Sequence, residues 1–259
     1  MKRSGLILLG CMLGLHVLAQ APPKLKEPVF ASGEELSYKL RYGFITAAEG
    51  KLQVLDSKTD FDGRPAFHLI ANGKTAGTFN VFYHVRNRYE SFIDKSTLLP
   101  YVYTEDIHEG NYTREDHVTF NQDAKKIASK RKGNFTFKND ILDLVSAYYY
   151  SRNLDVSRIK IGTKFSLQYF LVDDVTSLSI TYLGKERVKT AMGTFNCLKF
   201  NPSIKPGRIF KENSKLYLWV TDDGNRIPVK AQVEIIVGKV TMELTETKRL
   251  KYPLSSKIN

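Results

Sequence analysis

Apolar and polar residues alternate along most of the chain after residue 33. From Leu36 to Tyr42 every even position is apolar and every odd position is polar. The same period of two recurs in the segments that begin at Phe165, Leu178, Val229 and Val240. Because successive side chains of a strand point to opposite faces, this pattern predicts strands with one buried and one solvated face, as in antiparallel sheets.

Turn residues between these runs predict hairpins. A turn at Gly110, for example, predicts that Thr104 pairs with His117. His108 then lies on the same face as His117 but four positions along the strand, roughly 14 Å away and too far to share a metal ion. The pattern as a whole predicts a mainly β fold: an antiparallel curved sheet or barrel of about twelve strands with one amphipathic helix.

The helix is predicted within the segment from Asn139 to Tyr150, where the period changes from two to the helical spacing. Its apolar positions are Ile141, Leu144, Val145 and Tyr148. Asn139 or Asp140 is expected to cap its start. We expect this apolar face to cover the open end or the seam of the curved sheet.

The first 21 residues have the features of a secretory signal peptide. Lys2 and Arg3 precede an apolar stretch from Leu6 to Leu18, and Ala19-Gln20-Ala21 supplies a small-x-small cleavage pattern. Leu8-Leu9-Gly10-Cys11 also fits a lipoprotein cleavage site, which leaves lipidation at Cys11 as an alternative. The remaining chain is predicted to form an extended leader (22–32), a single antiparallel β domain (33–252) whose halves are joined by the helix near 140–152, and a tail (253–259).

Composition narrows the class of protein. The chain has 259 residues, a net charge of +12, 42% hydrophobic and 25% charged residues, which is ordinary for a globular protein. Two cysteines exclude a disulfide framework, and Cys197 lies in a strand-like run where a packed side chain is expected. Export argues against nucleic acid as the partner of the basic surface. Anionic lipid headgroups, acidic glycans or an envelope protein are the candidate partners, and the alternative is that the basic clusters are solvated hairpin tips without a partner.

The strongest candidate binding residues share one face of the strand that spans residues 81–93. Arg86, Arg88 and Glu90 alternate along this strand, and two arginines at this spacing can bind a phosphate or a carboxylate. The alternative is a ladder of ion pairs on a solvated sheet face. Trp219, the single tryptophan, is a further candidate ligand-binding residue, with core packing as its alternative. No catalytic residue, metal site or cofactor is predicted, and no Gly-x-Ser-x-Gly motif occurs.

Several segments, in order along the chain, resemble a family of bacterial exported proteins known as domain of unknown function 3108. They are Gly33 to Tyr38, Ala48 to Gly50, Tyr83 to Asp94, Asp143 to Arg152, Met192 to Phe195, Leu218 to Asp223, and Arg226 to Val229. The resemblance implies a mainly antiparallel β fold and a place in the envelope of a Gram-negative bacterium, in the periplasm or at the outer membrane. It implies no catalytic residues.

Three functions fit these observations. The first is a non-enzymatic module that binds an apolar or amphipathic ligand, such as a lipid or a glycan, or an envelope partner; it requires a continuous cavity or groove. The second is a periplasmic hydrolase of glycan or peptide, which requires converging Asp, Glu, His or Ser side chains. The third is a structural subunit of an envelope complex, which requires an exposed apolar patch.

Overall fold

The computed structural model describes residues 21–203, 214–235 and 238–258, so the predicted signal peptide lies outside the described residues except for Ala21. The described residues form fifteen strands and two helices. The strands are β1 (Glu35–Tyr42), β2 (Ile45–Asp56), β3 (Ala66–Thr75), β4 (Val85–Asp94), β5 (Pro100–Glu109), β6 (Tyr112–Asn121), β7 (Lys126–Ser129), β8 (Gly133–Thr136), β9 (Ile141–Leu142), β10 (Lys164–Leu171), β11 (Asp174–Thr190), β12 (Gly193–Pro202), β13 (Leu216–Thr221), β14 (Pro228–Glu234) and β15 (Lys239–Lys248); the helices are α1 (Phe79–Phe82) and α2 (Leu144–Arg152).

The mainly β class is confirmed, and the strand number exceeds the predicted twelve. Strands β7, β8 and β9 have only four, four and two residues, too few for a period of two to be recognised in the sequence. The short helix α1 was also not predicted, because one turn carries no periodic signal.

All strands belong to one sheet with the order β8-β7-β6-β5-β4-β3-β2-β1-β15-β14-β13-β12-β11-β10-β9. Neighbours pair antiparallel except β9 and β10, which are parallel. The predicted register of the Gly110 hairpin is confirmed, since Thr104 pairs with His117.

The chain connection between the two edge strands forces the sheet to curl. Only residues 137–140 separate the end of β8 from the start of β9. Five steps of extended chain span at most about 18 Å, whereas fifteen flat strands at about 4.8 Å spacing would put the two edges about 67 Å apart. The sheet is therefore strongly curved but unclosed, with β8 and β9 as its edges.

Side chains hold the two ends of the curved sheet together. Arg114 on β6 donates to both carboxylate oxygens of Asp173 in the β10–β11 turn, at 3.1 and 3.2 Å. The ring of Phe170 packs on those of Phe120 and Phe135, with centroids 6.4 and 5.1 Å apart. These contacts replace the backbone hydrogen bonds that would close a barrel.

Helix α2 begins later than predicted. Asp143, and not Asn139 or Asp140, is the N-cap: its Oδ1 accepts from the backbone N–H groups of Val145 and Ser146 at 2.8 and 2.9 Å. The predicted start was wrong because Ile141 and its neighbour form strand β9 and pair with β10. As a result the buried face shifts, and Leu144 is 40% exposed.

The interior of the curved sheet is filled by side chains. Tyr149 of α2 is completely buried among aliphatic and aromatic residues from β2 to β8. Arg152, at the end of α2, binds both oxygens of the buried Glu34 at 2.6 and 2.9 Å. The apolar cavity beside it, walled by residues such as Phe165 and Phe200, holds only about 60 Å³. A cavity of this size is too small for a bulky apolar ligand.

The leader before the β domain and the tail after it both pack against the domain. Val29 and Phe30 of the predicted extended leader are 3% and 1% exposed. In the expected tail, Ser256 donates to Asp223 at 2.7 Å, and Lys257 pairs with Phe195. Cys197 is buried and free, as expected for a packed side chain.

Candidate functional site

A row of charged side chains crosses strands β1 to β5 on the outward face of the sheet. Each residue of the row pairs directly with the next: Lys39 with Glu49, Glu49 with Lys74, Lys74 with Arg86, and Arg86 with His108. Because paired residues of adjacent strands project to the same side, the register alone aligns all five side chains.

A second row runs parallel to the first, two positions along each strand. Its residues are Ser37, Lys51, Asn72, Arg88 and Asp106, again paired in register. The two rows line an open groove of about 820 Å³, which we call the basic groove. Gly50 and Gly73 pair with each other between the rows, and the lack of side chains there allows the sheet to bend.

The groove has more positive than negative charge. Its five cations are Lys39, Lys51, Lys74, Arg86 and Arg88, against two carboxylates, Glu49 and Asp106. Lys74 lies 3.8 Å from Glu49, and Lys51 lies 2.9 Å from Glu35. The side chains of Lys39 and Arg86 have no ion pair or hydrogen bond with any residue that the structure describes. Two cations of the groove are therefore free to bind an anion.

The structure brings Arg86 and Arg88 together in the groove but places Glu90 in a different role. Arg88 Nε donates to Glu90 Oε1 at 2.7 Å, and His68 Nε2 bonds the other oxygen of the same carboxylate. Burial alone would raise the pKa of Glu90, but these two hydrogen bonds outweigh it and lower the pKa. Glu90 thus orients Arg88, and part of this face is the ion-pair ladder considered as the alternative.

Trp219 lies outside the groove. It is 7% exposed and belongs to a core cluster with residues such as Leu36 and Cys197. The Nζ atoms of Lys199 and Lys230 lie 5.0 and 5.8 Å from its ring centroid. This position matches the packing alternative.

Sequence reasoning missed Lys39, Lys51 and Lys74. Each is an outward residue of a strand, but lysines at outward positions are common and gave no reason to single these out. What joins them to Arg86 is the pairing of four strands across about 50 residues of chain, from Lys39 to Arg86. The outward residues of the separate strands reveal this cluster of cations only when the pairing register of the strands is known.

Two histidine–carboxylate pairs occur among the described residues, His68 with Glu90 and His108 with Asp106, the latter at 2.8 Å. No serine or cysteine side chain in the described ranges is hydrogen-bonded to either pair.

No group of three or more His, Cys, Asp or Glu residues that could hold a metal ion occurs among residues 21–203, 214–235 and 238–258. Within the same ranges, neither helix has the length and apolar character that crossing a bilayer demands.

Comparison with known proteins identifies the family. The model of a family described as protein of unknown function DUF3108 matches residues 37–245, which include every residue that lines the groove. The chain belongs to this family. The DUF3108 match confirms the resemblance seen in the sequence, and no curated protein matches the chain at a significant level.

The chain is similar to three solved structures to different degrees. A β-barrel-like protein of domain of unknown function DUF1849 from Brucella abortus superposes with a TM-score of 0.54 at 9% identity, covering 87% of this chain and 99% of that one. An exported protein, so described provisionally, with a YmcC-like fold from Bacteroides fragilis gives a TM-score of 0.36 at 10% identity, over 88% and 100%. A lipoprotein, also a provisional description, from Parabacteroides distasonis gives 0.37 at 13% identity, over 87% and 99%. The first of these supports the curved, barrel-like architecture of this DUF3108 protein.

Proposed function

We propose that this DUF3108 protein is exported to the cell envelope and acts there as a non-enzymatic module that binds an anionic ligand in the basic groove. Support for export comes from residues 1–21, whose basic start, apolar stretch and small-x-small end are typical of a secretory signal. The resemblance to DUF3108 proteins supports a place in the periplasm or at the outer membrane of a Gram-negative bacterium.

The observation that carries the binding proposal is the pair of free cations, Lys39 and Arg86. They lie on strands β1 and β4, three strand spacings or about 14 Å apart. Lys74 lies on β3, between these two strands, and Arg88 lies two residues after Arg86 on β4. The five cations of the groove are spread over strands β1 to β4 and can contact several anionic groups at once. The groove therefore favours a ligand with two or more phosphate or carboxylate groups, which is a chemistry shared by acidic glycans and lipid headgroups.

An apolar ligand is less well supported than an anionic one. It would need a continuous cavity inside the sheet, and the apolar cavity beside Arg152 has a volume of about 60 Å³. A buried chain of even a few methylene groups would require core side chains to move, which close-packed interiors resist.

A binding experiment with two kinds of polyanion tests the proposal. Inorganic tripolyphosphate and an oligogalacturonate, which present phosphates and carboxylates respectively, are titrated into the protein by calorimetry at low and high salt. We expect Lys39→Glu combined with Arg86→Glu to weaken binding of the preferred polyanion at least tenfold, because two attractions become repulsions. Added salt should weaken the wild-type interaction as well.

The control has the same change of net charge outside the groove. Lys130 and Lys132 are exposed at the β7–β8 turn, so Lys130→Glu with Lys132→Glu matches the charge change without touching the groove. We expect the control to bind like the wild type. Equal loss in both variants, or no loss in the groove variant, would contradict the proposal.

A further inference from the structure

Six bulky side chains are exposed at one end of the sheet, and we call them the apolar rim. They are Tyr42, Phe44, Val81, Phe82, Tyr83 and Tyr112. Phe44 is 93%, Phe82 85% and Val81 82% exposed, and these are the three most exposed large hydrophobic residues of the described chain. Exposure of this kind, concentrated at one place on a soluble domain, marks an interaction surface.

The rim is continuous because its members come from three adjacent chain connections. The β1–β2 turn, the β3–β4 connection that contains α1, and the β5–β6 turn all lie at the same end of consecutive antiparallel strands. Ala76 N donates to Ala47 O at 3.0 Å, and Gly110 N donates to His84 O at 2.8 Å. The hydroxyl of Tyr83 donates to Glu109 O at 3.2 Å. None of the residues of α1 is buried, and its Val81 and Phe82 side chains face solvent.

Cations lie directly behind the rim. Lys39 and Arg41 precede the β1–β2 turn, Lys74 precedes the β3–β4 connection, and Arg86 follows it. Arg41 Nε is buried and has no hydrogen-bond partner among the described residues. Protruding aromatic and aliphatic side chains backed by cations are the combination that suits an anionic bilayer surface. The apolar groups enter the interfacial region, and the cations meet headgroup phosphates.

We propose that the apolar rim docks this protein on the surface of an anionic lipid bilayer. The rim residues stand on separate turns and project singly, which suits shallow insertion between lipids. The polar backbone of those turns stays at headgroup depth, where its groups remain hydrated. The proposal goes beyond ligand binding in the groove, because it assigns a surface and a partner to the rim.

A tryptophan placed in the rim tests insertion at one defined position. Phe82→Trp is compared with Ile161→Trp, since Ile161 is 74% exposed but lies before β10 at the other end of the strands. The native Trp219 is only 7% exposed and contributes a constant background. The apolar residues 6–18 would bind lipid in any protein that retains them. The emission of a tryptophan at position 82 reports insertion of the rim itself and is therefore not mistaken for that binding.

Vesicles of phosphatidylethanolamine with phosphatidylglycerol should shift the emission of Phe82→Trp to shorter wavelength, and brominated lipids should quench it. Vesicles of phosphatidylcholine alone should give a weaker effect, and Ile161→Trp should respond to neither. Phe44→Ala combined with Phe82→Ala should reduce partitioning to the anionic vesicles at least tenfold, because two side chains lose their burial. Ile161→Ala should leave partitioning unchanged.

Two results would overturn the proposal. One is an unchanged Phe82→Trp emission on anionic vesicles. The other is a dimer in sedimentation equilibrium that dissociates in Phe44→Ala with Phe82→Ala, which would make the rim a contact between copies of this chain. The rim variants should keep the polyanion affinity of the wild type, so a failure of membrane docking is distinguishable from a failure of the groove.

Discussion

At the scale of single residues, Asp94 shows how one carboxylate can organise a turn. Its Oδ1 accepts from the backbone N–H groups of Ser96 and Thr97 at 2.7 and 2.8 Å, and its Oδ2 accepts from the hydroxyl of Tyr101. Burial acts to raise the pKa of Asp94, but these hydrogen bonds prevail and lower it to about 2. The ionised form therefore stabilises the connection between β4 and β5, next to the strands of the groove.

This depressed pKa predicts an acid-dependent loss of stability. The unfolded chain holds the Asp94 proton more tightly than the folded chain, so the contribution is full above about pH 4 and disappears as pH falls to about 2. After allowance for solvent screening we expect about 1 kcal/mol. Urea unfolding of the wild type and Asp94→Asn at several pH values checks this. The difference between the two proteins should shrink on acidification, and a constant difference would refute the assignment.

At the scale of elements, the start of α2 depends on a buried cap. Asp143 accepts two backbone N–H bonds at its Oδ1 and a hydrogen bond from Ser91 Oγ at its Oδ2, at 2.6 Å. Ser146 Oγ in turn accepts from the backbone N–H of Asp143 at 2.8 Å. These reciprocal hydrogen bonds between Asp143 and Ser146 form a capping box, which fixes where α2 starts. The start of α2 in turn sets the positions of Tyr149 and Arg152 in the interior of the sheet.

Asp143→Ala should lower the free energy of unfolding by about 3 kcal/mol, since the helix loses its cap and Ser91 loses a buried partner. Asp143→Asn keeps an oxygen that can accept both N–H bonds, so it should retain most of the stability. Asp140→Ala is the matched control, because Asp140 is a surface carboxylate with an ion pair to Lys125 at 3.3 Å. Thermal unfolding of the three variants tests this, and an equal cost at Asp140 would contradict it.

The elements also show what the sequence could and could not predict. Strands with one solvated face, such as β1 and β15, were predicted because their alternation is long enough to read. The helix was found but not its cap, because the two residues of β9 continue the helical spacing by chance. Arg86 and Arg88 were predicted as neighbours on one strand. Lys39 and Lys74 were not, since only the pairing of distant strands brings them into the groove.

At the scale of the whole molecule, the two faces of the curved sheet carry different features. The inward face buries α2 and the core, and the outward face of β1 to β5 carries the basic groove. The connections at one end of the same strands carry the apolar rim. A polyanion in the groove and a bilayer at the rim would therefore meet the same part of the protein, and the cations beside the turns could contribute to both.

The central claim is that the basic groove binds anions, and chemical-shift mapping tests it most directly. Amide resonances of the protein are followed by NMR while inorganic tripolyphosphate is added at low salt. We predict the largest shifts at residues 37–39, 49–51, 72–74 and 86–88, the four segments that carry the cations of the groove. Shifts confined to other basic surfaces, such as Lys130 to Lys132, or no saturable shift in the groove, would contradict it.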